Sequence, residues 1–209
     1  MATYASTFDV AQPKTYNRAQ VALRLVILVV GSILAGAIGW IPGLVWLGIP
    51  VVAAVLISQR GPEKYIAEAG EGMIKWLRYI IGFYAYLLLL TDDLPSDDAA
   101  NAARFDVTAS GTPSVGQALL RIILIIPHAI VLGLLSIVAG LLAIIAAVMV
   151  LVQETYPAGI HDFLRGYVRW HARVLTYMGS LTDEYPPFAL DTGGEGEAAT
   201  ATPPPASPV

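Results

Sequence analysis

The chain has 209 residues, of which 56% are hydrophobic and 13% are charged, whereas about a quarter of the residues of soluble domains are charged. This composition indicates an integral membrane protein, and the net charge of −4 does not favour nucleic acid as a partner. The lack of cysteine excludes disulfides, thiol catalysis, iron–sulfur clusters and cysteine-ligated zinc.

A polar leader is predicted at residues 1–7, and the first apolar run begins near Val21. Asp9, Lys14 and Arg18 precede that run, and no small-residue cleavage site follows a short hydrophobic segment. We therefore expect no cleaved signal peptide.

Two parts of the chain are similar enough to indicate a tandem duplication. Residues 63–95 align without a gap with residues 154–186, at an offset of 91, and matching pairs include Tyr65/Tyr156, Arg78/Arg169, Tyr86/Tyr177, Thr91/Thr182 and Asp92/Asp183. Upstream, Phe8-Asp9-Val10 returns 97 positions later as Phe105-Asp106-Val107, and Arg24 returns as Arg121. The sequence thus predicts repeat 1 at residues 8–95 and repeat 2 at residues 105–190, joined by a linker at 96–104. We interpret each Phe-Asp-Val as a short extended segment.

Each repeat contains an uncharged stretch that predicts an apolar helical hairpin. In repeat 1 the hairpin covers 22–59 and turns at Gly39-Trp40-Ile41-Pro42-Gly43, which combines helix-stop and turn residues. In repeat 2 it covers 119–153, has no Pro-Gly break, and is expected to turn near Ser136 to Gly140. Its short length leaves open whether it spans the bilayer or is re-entrant. Small residues favour close packing of all four membrane helices in one bundle; they include Gly31, Ser32, Ala35, Gly36, Gly133, Ser136, Ala139, Gly140 and Ala143.

An amphipathic helix follows each hairpin, at 63–90 and 157–181. In the second, apolar residues recur at helical spacing, while Arg165, Arg169 and Arg173 share the opposite face. Because arginine is costly in lipid, we expect these helices to lie on the membrane surface. The predicted contacts to lipid or a partner are the cationic and Trp residues of the two helices, since Trp favours the headgroup layer: Lys75, Trp76, Arg78, Arg165, Arg169, Trp170 and Arg173.

The distribution of Lys and Arg predicts the orientation. These residues flank both hairpins and are missing from the hairpin tips, so both termini should be cytoplasmic in a multi-pass protein of the cytoplasmic (inner) membrane. The tail at 191–209 is rich in Pro, Ala, Thr and Gly, and we expect it to be disordered.

His128 is the residue most suggestive of chemistry, because it is ionisable and lies in an apolar helix next to Pro127. Two interpretations stay open: the imidazole donates to a backbone carbonyl that the proline leaves unpaired, or it acts as a gate or proton carrier. Leu-Thr-Asp ends both amphipathic helices, and Asp92 and Asp183 are expected to pair with Arg78 and Arg169. The sequence predicts no metal site and no cofactor.

Several motifs of repeat 2 resemble a known family. They are Ile126-Pro127-His128, then Tyr156-Pro157-x-Gly159-Ile160-x-Asp162-Phe163, and the ending Leu181-Thr182-Asp183-Glu184-Tyr185-Pro186-Pro187-Phe188. This pattern is similar to the bacterial membrane family catalogued as Domain of Unknown Function 4389, closely from about residue 105 to 190. Repeat 1 lacks the Pro-His pair and the Pro-Pro-Phe ending. The resemblance implies a membrane topology and no particular activity.

The sequence therefore predicts an all-α membrane protein made of two copies of a hairpin and an interfacial helix. Our leading hypothesis is a non-enzymatic scaffold or accessory subunit that binds lipid through its amphipathic helices. Its partners would be the bilayer and possible membrane proteins, including a second copy of the chain. The alternative is a small transporter or channel that works through His128.

Overall fold

The computed structural model describes residues 4–37, 41–95 and 102–191, with no description of the side chains at 29–45 and 69. The predicted turn of the first hairpin falls partly on residues 38–40, which lie outside the described residues. Most of the predicted linker and nearly all of the predicted tail, residues 96–101 and 192–209, also lie outside them. The small residues of the first hairpin fall among the positions whose side chains are not described.

The fold is mostly helical and includes a two-stranded sheet. In chain order the elements are β1 (Ser6–Val10), α1 (Arg18–Ala37), α2 (Ile41–Arg60), α3 (Pro62–Lys64), a π-helical turn (Tyr65–Ala69), α4 (Gly70–Leu87), β2 (Ala103–Val107), α5 (Val115–Leu124), α6 (Ile126–Gln153) and α7 (Ala158–Met178). α2 packs against α5, and α7 packs against β1, α4 and α6.

The sheet corrects the all-α prediction. β1 and β2 are antiparallel, and Phe8 is paired with Phe105 at the centre of the register. Both phenylalanines are buried in the core. The two Phe-Asp-Val segments are therefore partners of each other, and β1 and β2 extend into the predicted leader and linker. Neither segment has a partner strand nearby in sequence, so local patterns could not reveal the pairing.

The second hairpin is also corrected, because α6 runs without a break through the predicted turn at Ser136 to Gly140. The Ser136 hydroxyl donates to the Gly133 carbonyl within the helix, 2.6 Å away. Small residues without a proline do not end a helix whose other positions are Leu, Ile, Val and Ala. Pro127 lies in the first turn of α6, where its missing N–H has no helical partner to lose.

α6 has an apolar and largely exposed surface. Within the described ranges it is the one helix that is long and apolar enough to cross a membrane, with 28 residues. Most of its large side chains are exposed, as in the case of Leu134 at 65%. Exposed apolar surface on this scale marks a site of contact with lipid or protein.

The prediction that α7 rests on the membrane with its arginines facing phosphate is wrong. α7 is buried along most of its length, and Arg169 and Arg173 are buried with Leu164, Val168 and Leu175. The cost of placing arginine in lipid does not apply here, because the protein supplies its own acceptors for these side chains.

α4 differs from α7 in having an exposed face. Its aromatic residues Trp76, Tyr79 and Phe83 form an exposed stripe at helical spacing.

A proline in the middle of α6 tests the continuous helix. Val138→Pro removes a helical hydrogen bond and adds a steric clash, so it should lower the free energy of unfolding by about 3 kcal/mol or more. Chemical denaturation in detergent micelles measures this change, and Val138→Ala is the matched control. Equal stability of the two variants would contradict the continuous helix and favour the turn predicted between Ser136 and Gly140.

Candidate functional site

Two arginines tie the helices to the sheet in equivalent ways. Arg169 Nε donates to the Phe8 carbonyl at 2.9 Å, and Arg78 Nε donates to the Phe105 carbonyl at 3.2 Å. Each arginine also lies 3.5 Å from the next aspartate of the same strand, Asp9 or Asp106. Each contact joins a helix of one predicted repeat to the strand of the other.

Two tyrosine hydroxyls also form hydrogen bonds between the two predicted repeats. The Tyr65 hydroxyl donates to the Gly179 carbonyl, and the Tyr156 hydroxyl donates to the Leu88 carbonyl. Burial raises the pKa of both phenols above the usual range. Both hydroxyls therefore keep their protons and remain donors.

The two Leu-Thr-Asp segments each hold a buried arginine, at sites that we name arginine clusters 1 and 2. In cluster 1, Arg24 Nη2 donates to the Thr91 carbonyl at 2.6 Å and to Asp92 Oδ1 at 2.7 Å, and its guanidinium lies 4.3 Å above the Tyr86 ring. In cluster 2, Arg121 donates to the Thr182 carbonyl at 2.7 Å and to Asp183 Oδ1 at 2.8 Å, over Tyr177 at 4.3 Å.

These clusters correct the predicted partners of the two aspartates. Asp92 and Asp183 pair with Arg24 and Arg121 instead of Arg78 and Arg169. Arg24 lies in α1 and Arg121 in α5, and both are almost fully buried, so each needs an anion inside the protein. The signal in the sequence was the presence of both arginines and both aspartates at equivalent positions of the two repeats.

Asp183 is held closely on its other side. The backbone N–H of Thr112 donates to Asp183 Oδ2 at 3.0 Å. Gly111 has a φ of +99°, and a Cβ atom there would lie 2.3 Å from the same oxygen. A residue with a side chain at 111 would displace the carboxylate from Arg121, so cluster 2 requires glycine at this position.

His128 joins the motifs that carry the family resemblance. It is fully buried, and its Nδ1 accepts a hydrogen bond from Trp170 Nε1 at 2.9 Å. Phe188 stacks on the imidazole with 3.8 Å between ring centroids, and Tyr185 lies 5.0 Å away. The partner of this imidazole is thus Trp170, in place of the predicted backbone carbonyl. His128 holds the Tyr-Pro-Pro-Phe segment against α6 and α7.

A second histidine, His171, lies in an aromatic box made of Trp46, Tyr84 and Tyr167. Its Nδ1 is 3.0 Å from the Tyr167 carbonyl. Burial lowers the pKa of His171 from 6.5 to about 4, and the Tyr167 carbonyl offsets part of this effect. The side chain is therefore neutral at physiological pH.

The residues predicted to contact lipid or a partner fall into two groups. On α7, Arg165 pairs with Asp162 at 3.0 Å, Arg173 pairs with Asp191 at 2.5 Å, and Trp170 is buried with Arg169. On α4, Lys75 and Trp76 are exposed and Arg78 is partly exposed. Of this set, the α4 residues lie at the surface, while those of α7 hold the protein together.

A cavity of about 560 Å³ lies beside α6. Its walls come from the first part of α1, the end of α4, the small-residue face of α6, and Tyr167. Arg24 contributes the charged side chain of this lining.

Replacing Asp183 tests the ion pair of cluster 2. Asp183→Asn leaves the buried guanidinium of Arg121 without its anion. Because the Asp183 side chain is 43% exposed and solvent screens part of the interaction, the free energy of unfolding should fall by about 1–3 kcal/mol. Asp106→Asn is the matched control, because Asp106 is 77% exposed and such a pair contributes about 1 kcal/mol at most. Denaturation in detergent measures both variants. A similar loss in both would contradict the role of cluster 2.

His171 predicts a dependence of stability on pH. Between pH 6.5 and about 4 the unfolded chain binds a proton that the folded chain does not bind. The stability is therefore complete above pH 6.5 and falls on acidification toward pH 4, by up to about 1.4 kcal/mol per pH unit. Denaturation midpoints at pH 7 and pH 5 should differ less for His171→Phe than for the unmodified chain. Equal differences would contradict the assignment.

The comparison with protein families agrees with the resemblance of repeat 2. Residues 116–189 match the family described as "Domain of unknown function (DUF4389)". No curated protein and no solved structure matches the chain. The matched residues contain Arg121, His128, Trp170 and Asp183, so cluster 2 and the His128 contacts both lie within the family segment. Residues 116–189 of the chain are thus similar to this family of unknown function.

Proposed function

We propose that this chain is a multi-pass, non-enzymatic protein of the bacterial cytoplasmic membrane that serves as a scaffold or accessory subunit. The observation that carries the proposal is the exposed apolar surface of α6. In water that surface would be strongly unfavourable, whereas in a bilayer it needs no cover. α1, α2 and α5 carry further exposed apolar residues, including Leu25, Val55 and Ile123, and with α6 they are the four membrane helices of the proposal.

A tandem duplication explains why the contacts occur in pairs. Arg78 and Arg169, Tyr65 and Tyr156, and Arg24 and Arg121 make the same contact with the opposite or equivalent segment. The central strand pair joins Phe8 to its own counterpart, Phe105. An approximate twofold relation between the halves accounts for all of these pairs with one gene duplication.

The proposed orientation places the polar body in the cytoplasm. β2, α4 and α7 contain half of the lysines and arginines of the described ranges. Cationic residues favour the cytoplasmic side of bacterial membranes, so both termini are proposed to be cytoplasmic. α5 and α6 take the place of the predicted second hairpin. Because β2 before them and α7 after them belong to the same polar body, we propose that this part of the chain enters and leaves the membrane on the cytoplasmic side.

The surface of α4 supports the role as a scaffold. Lys75 and the aromatic stripe of Trp76, Tyr79 and Phe83 are exposed. Trp, Tyr and Lys together favour the headgroup layer. We propose that this face rests on lipid and leaves the remaining apolar surface for a membrane protein or a second copy of the chain.

The lack of native cysteine allows a direct test with single cysteines. A fluorescent label at Ile137→Cys on α6 should be quenched by nitroxide placed in the lipid chains, and a label at Phe83→Cys on α4 by nitroxide at the headgroups. Thr7→Cys in β1 is the control, because this exposed residue should be quenched by a water-soluble reagent. Quenching of position 137 from water would overturn the membrane proposal, and quenching of position 83 from water would remove the role of α4.

The sidedness is measured with the same Thr7→Cys variant in intact cells. A membrane-impermeant maleimide should leave position 7 unlabelled until the cells are opened. Labelling in intact cells would reverse the proposed orientation.

A further inference from the structure

Arg24 of cluster 1 is incompletely satisfied, although it is only 2% exposed. Its Nη2 makes both hydrogen bonds, while the buried Nε and Nη1 have no partner. Buried donors without acceptors are unfavourable and call for an explanation. Arg121, the equivalent residue of cluster 2, uses both Nη1 and Nη2 and leaves no buried nitrogen unpaired. The two clusters thus differ in a way that the repeat does not explain.

A second unpaired group lies close to Arg24. The Tyr16 hydroxyl is buried and has no hydrogen-bond partner. It is near enough to Asp92 and Arg24 for both charges to act on its pKa, which burial raises. Residue 113, the counterpart of Tyr16 at the offset of 97, is a proline. Two side chains with unpaired donors, Arg24 and Tyr16, therefore lie close together at cluster 1.

The cavity of about 560 Å³ lies directly beside this group, because Arg24 is part of its wall. The volume is within the range of roughly 300–1,000 Å³ found for small-molecule sites. The rest of the lining is mainly apolar. The small side chains of Ser136, Ala143 and Gly140 leave space along α6. Water would find few partners there, whereas an amphiphile would place its hydrocarbon against the apolar wall and its polar end beside Arg24.

The cavity opens toward the surface that we assign to the bilayer. Leu25, Leu28, Ile144 and Val148 line it and are also exposed at the outer surface of α1 and α6. An occupant can therefore enter from the side, out of the lipid. Among bilayer components, a glycerophospholipid combines a long hydrocarbon chain with a phosphate oxyanion, which accepts hydrogen bonds from arginine.

We propose that the cavity binds one glycerophospholipid, with an acyl chain along the small residues of α6 and the phosphate accepting hydrogen bonds from Arg24. This inference rests on the proposed membrane location and adds a specific lipid site to it. Cluster 2 takes no lipid, since Arg121 has its donors occupied within the protein.

Filling the cavity tests the site without touching the ion pair. A Cβ at Gly140 would meet no atom within 4 Å, so Gly140→Leu places a side chain in the cavity at little cost to the fold. Gly133→Leu is the matched control, because Gly133 is on the same helix, is also open around Cβ, and does not line the cavity. Native mass spectrometry of delipidated protein in micelles, with added phosphatidylglycerol, counts the bound lipid.

We expect one bound phosphatidylglycerol in the unmodified chain and in Gly133→Leu, and none in Gly140→Leu. Diacylglycerol with the same chains lacks the phosphate and should bind at least about tenfold more weakly. Arg24→Gln should weaken the binding of phosphatidylglycerol by a similar factor and leave the binding of diacylglycerol unchanged. Equal binding of phosphatidylglycerol to both glycine variants, equal binding of both lipids, or preferential binding of free oleate would each overturn the proposal.

The result is separable from the test of membrane location. If position 137 on α6 is quenched from the lipid chains and Gly140→Leu still binds phosphatidylglycerol, the lipid site alone fails. If position 137 is quenched from water, the proposed location fails first, and the site loses its source of lipid with it.

Discussion

Arginines that reach from one half of the chain to the strand of the other are the interactions on which this structure depends. Arg78 and Arg169 hold the backbone of β2 and β1, and within the described ranges the two strands pair only with each other. A buried guanidinium is costly unless acceptors surround it. Each half supplies the acceptors that the other half needs, so neither strand nor its arginine would be well satisfied in a single copy.

These arginine contacts between the two halves also affect which side chains are left at the surface. The arginines of α7 make intramolecular contacts with Phe8, Asp9, Asp162 and Asp191. The exposed side of α6 carries large aliphatic residues instead. The protein therefore keeps several of its arginines inside and presents apolar side chains on the exposed face of α6.

The sequence predicted what depends on local patterns and missed what depends on distant partners. The helical regions and the family of residues 116–189 followed from periodicity and motifs. The pairing of Phe8 with Phe105 and of Arg121 with Asp183 joins residues far apart in the chain, and periodicity contains no such information. The burial of α7 was missed for the same reason, because an amphipathic pattern does not say whether lipid or protein covers the polar face. The false turn at Ser136 came from reading small residues as breakers inside a strongly helical run.

α6 is fastened at both ends, and this limits how it can respond to its surroundings. His128 near its start is bonded to Trp170, and the Val152 carbonyl near its end accepts from Arg18. Its 28 residues extend about 42 Å at 1.5 Å per residue, beyond a hydrocarbon layer of about 30 Å. A free helix relieves such a mismatch by tilting. In the proposed membrane location, these two contacts would fix the angle of α6 relative to the rest of the protein. A difference in bilayer thickness would then have to be met by the surrounding lipid or by a tilt of the whole protein.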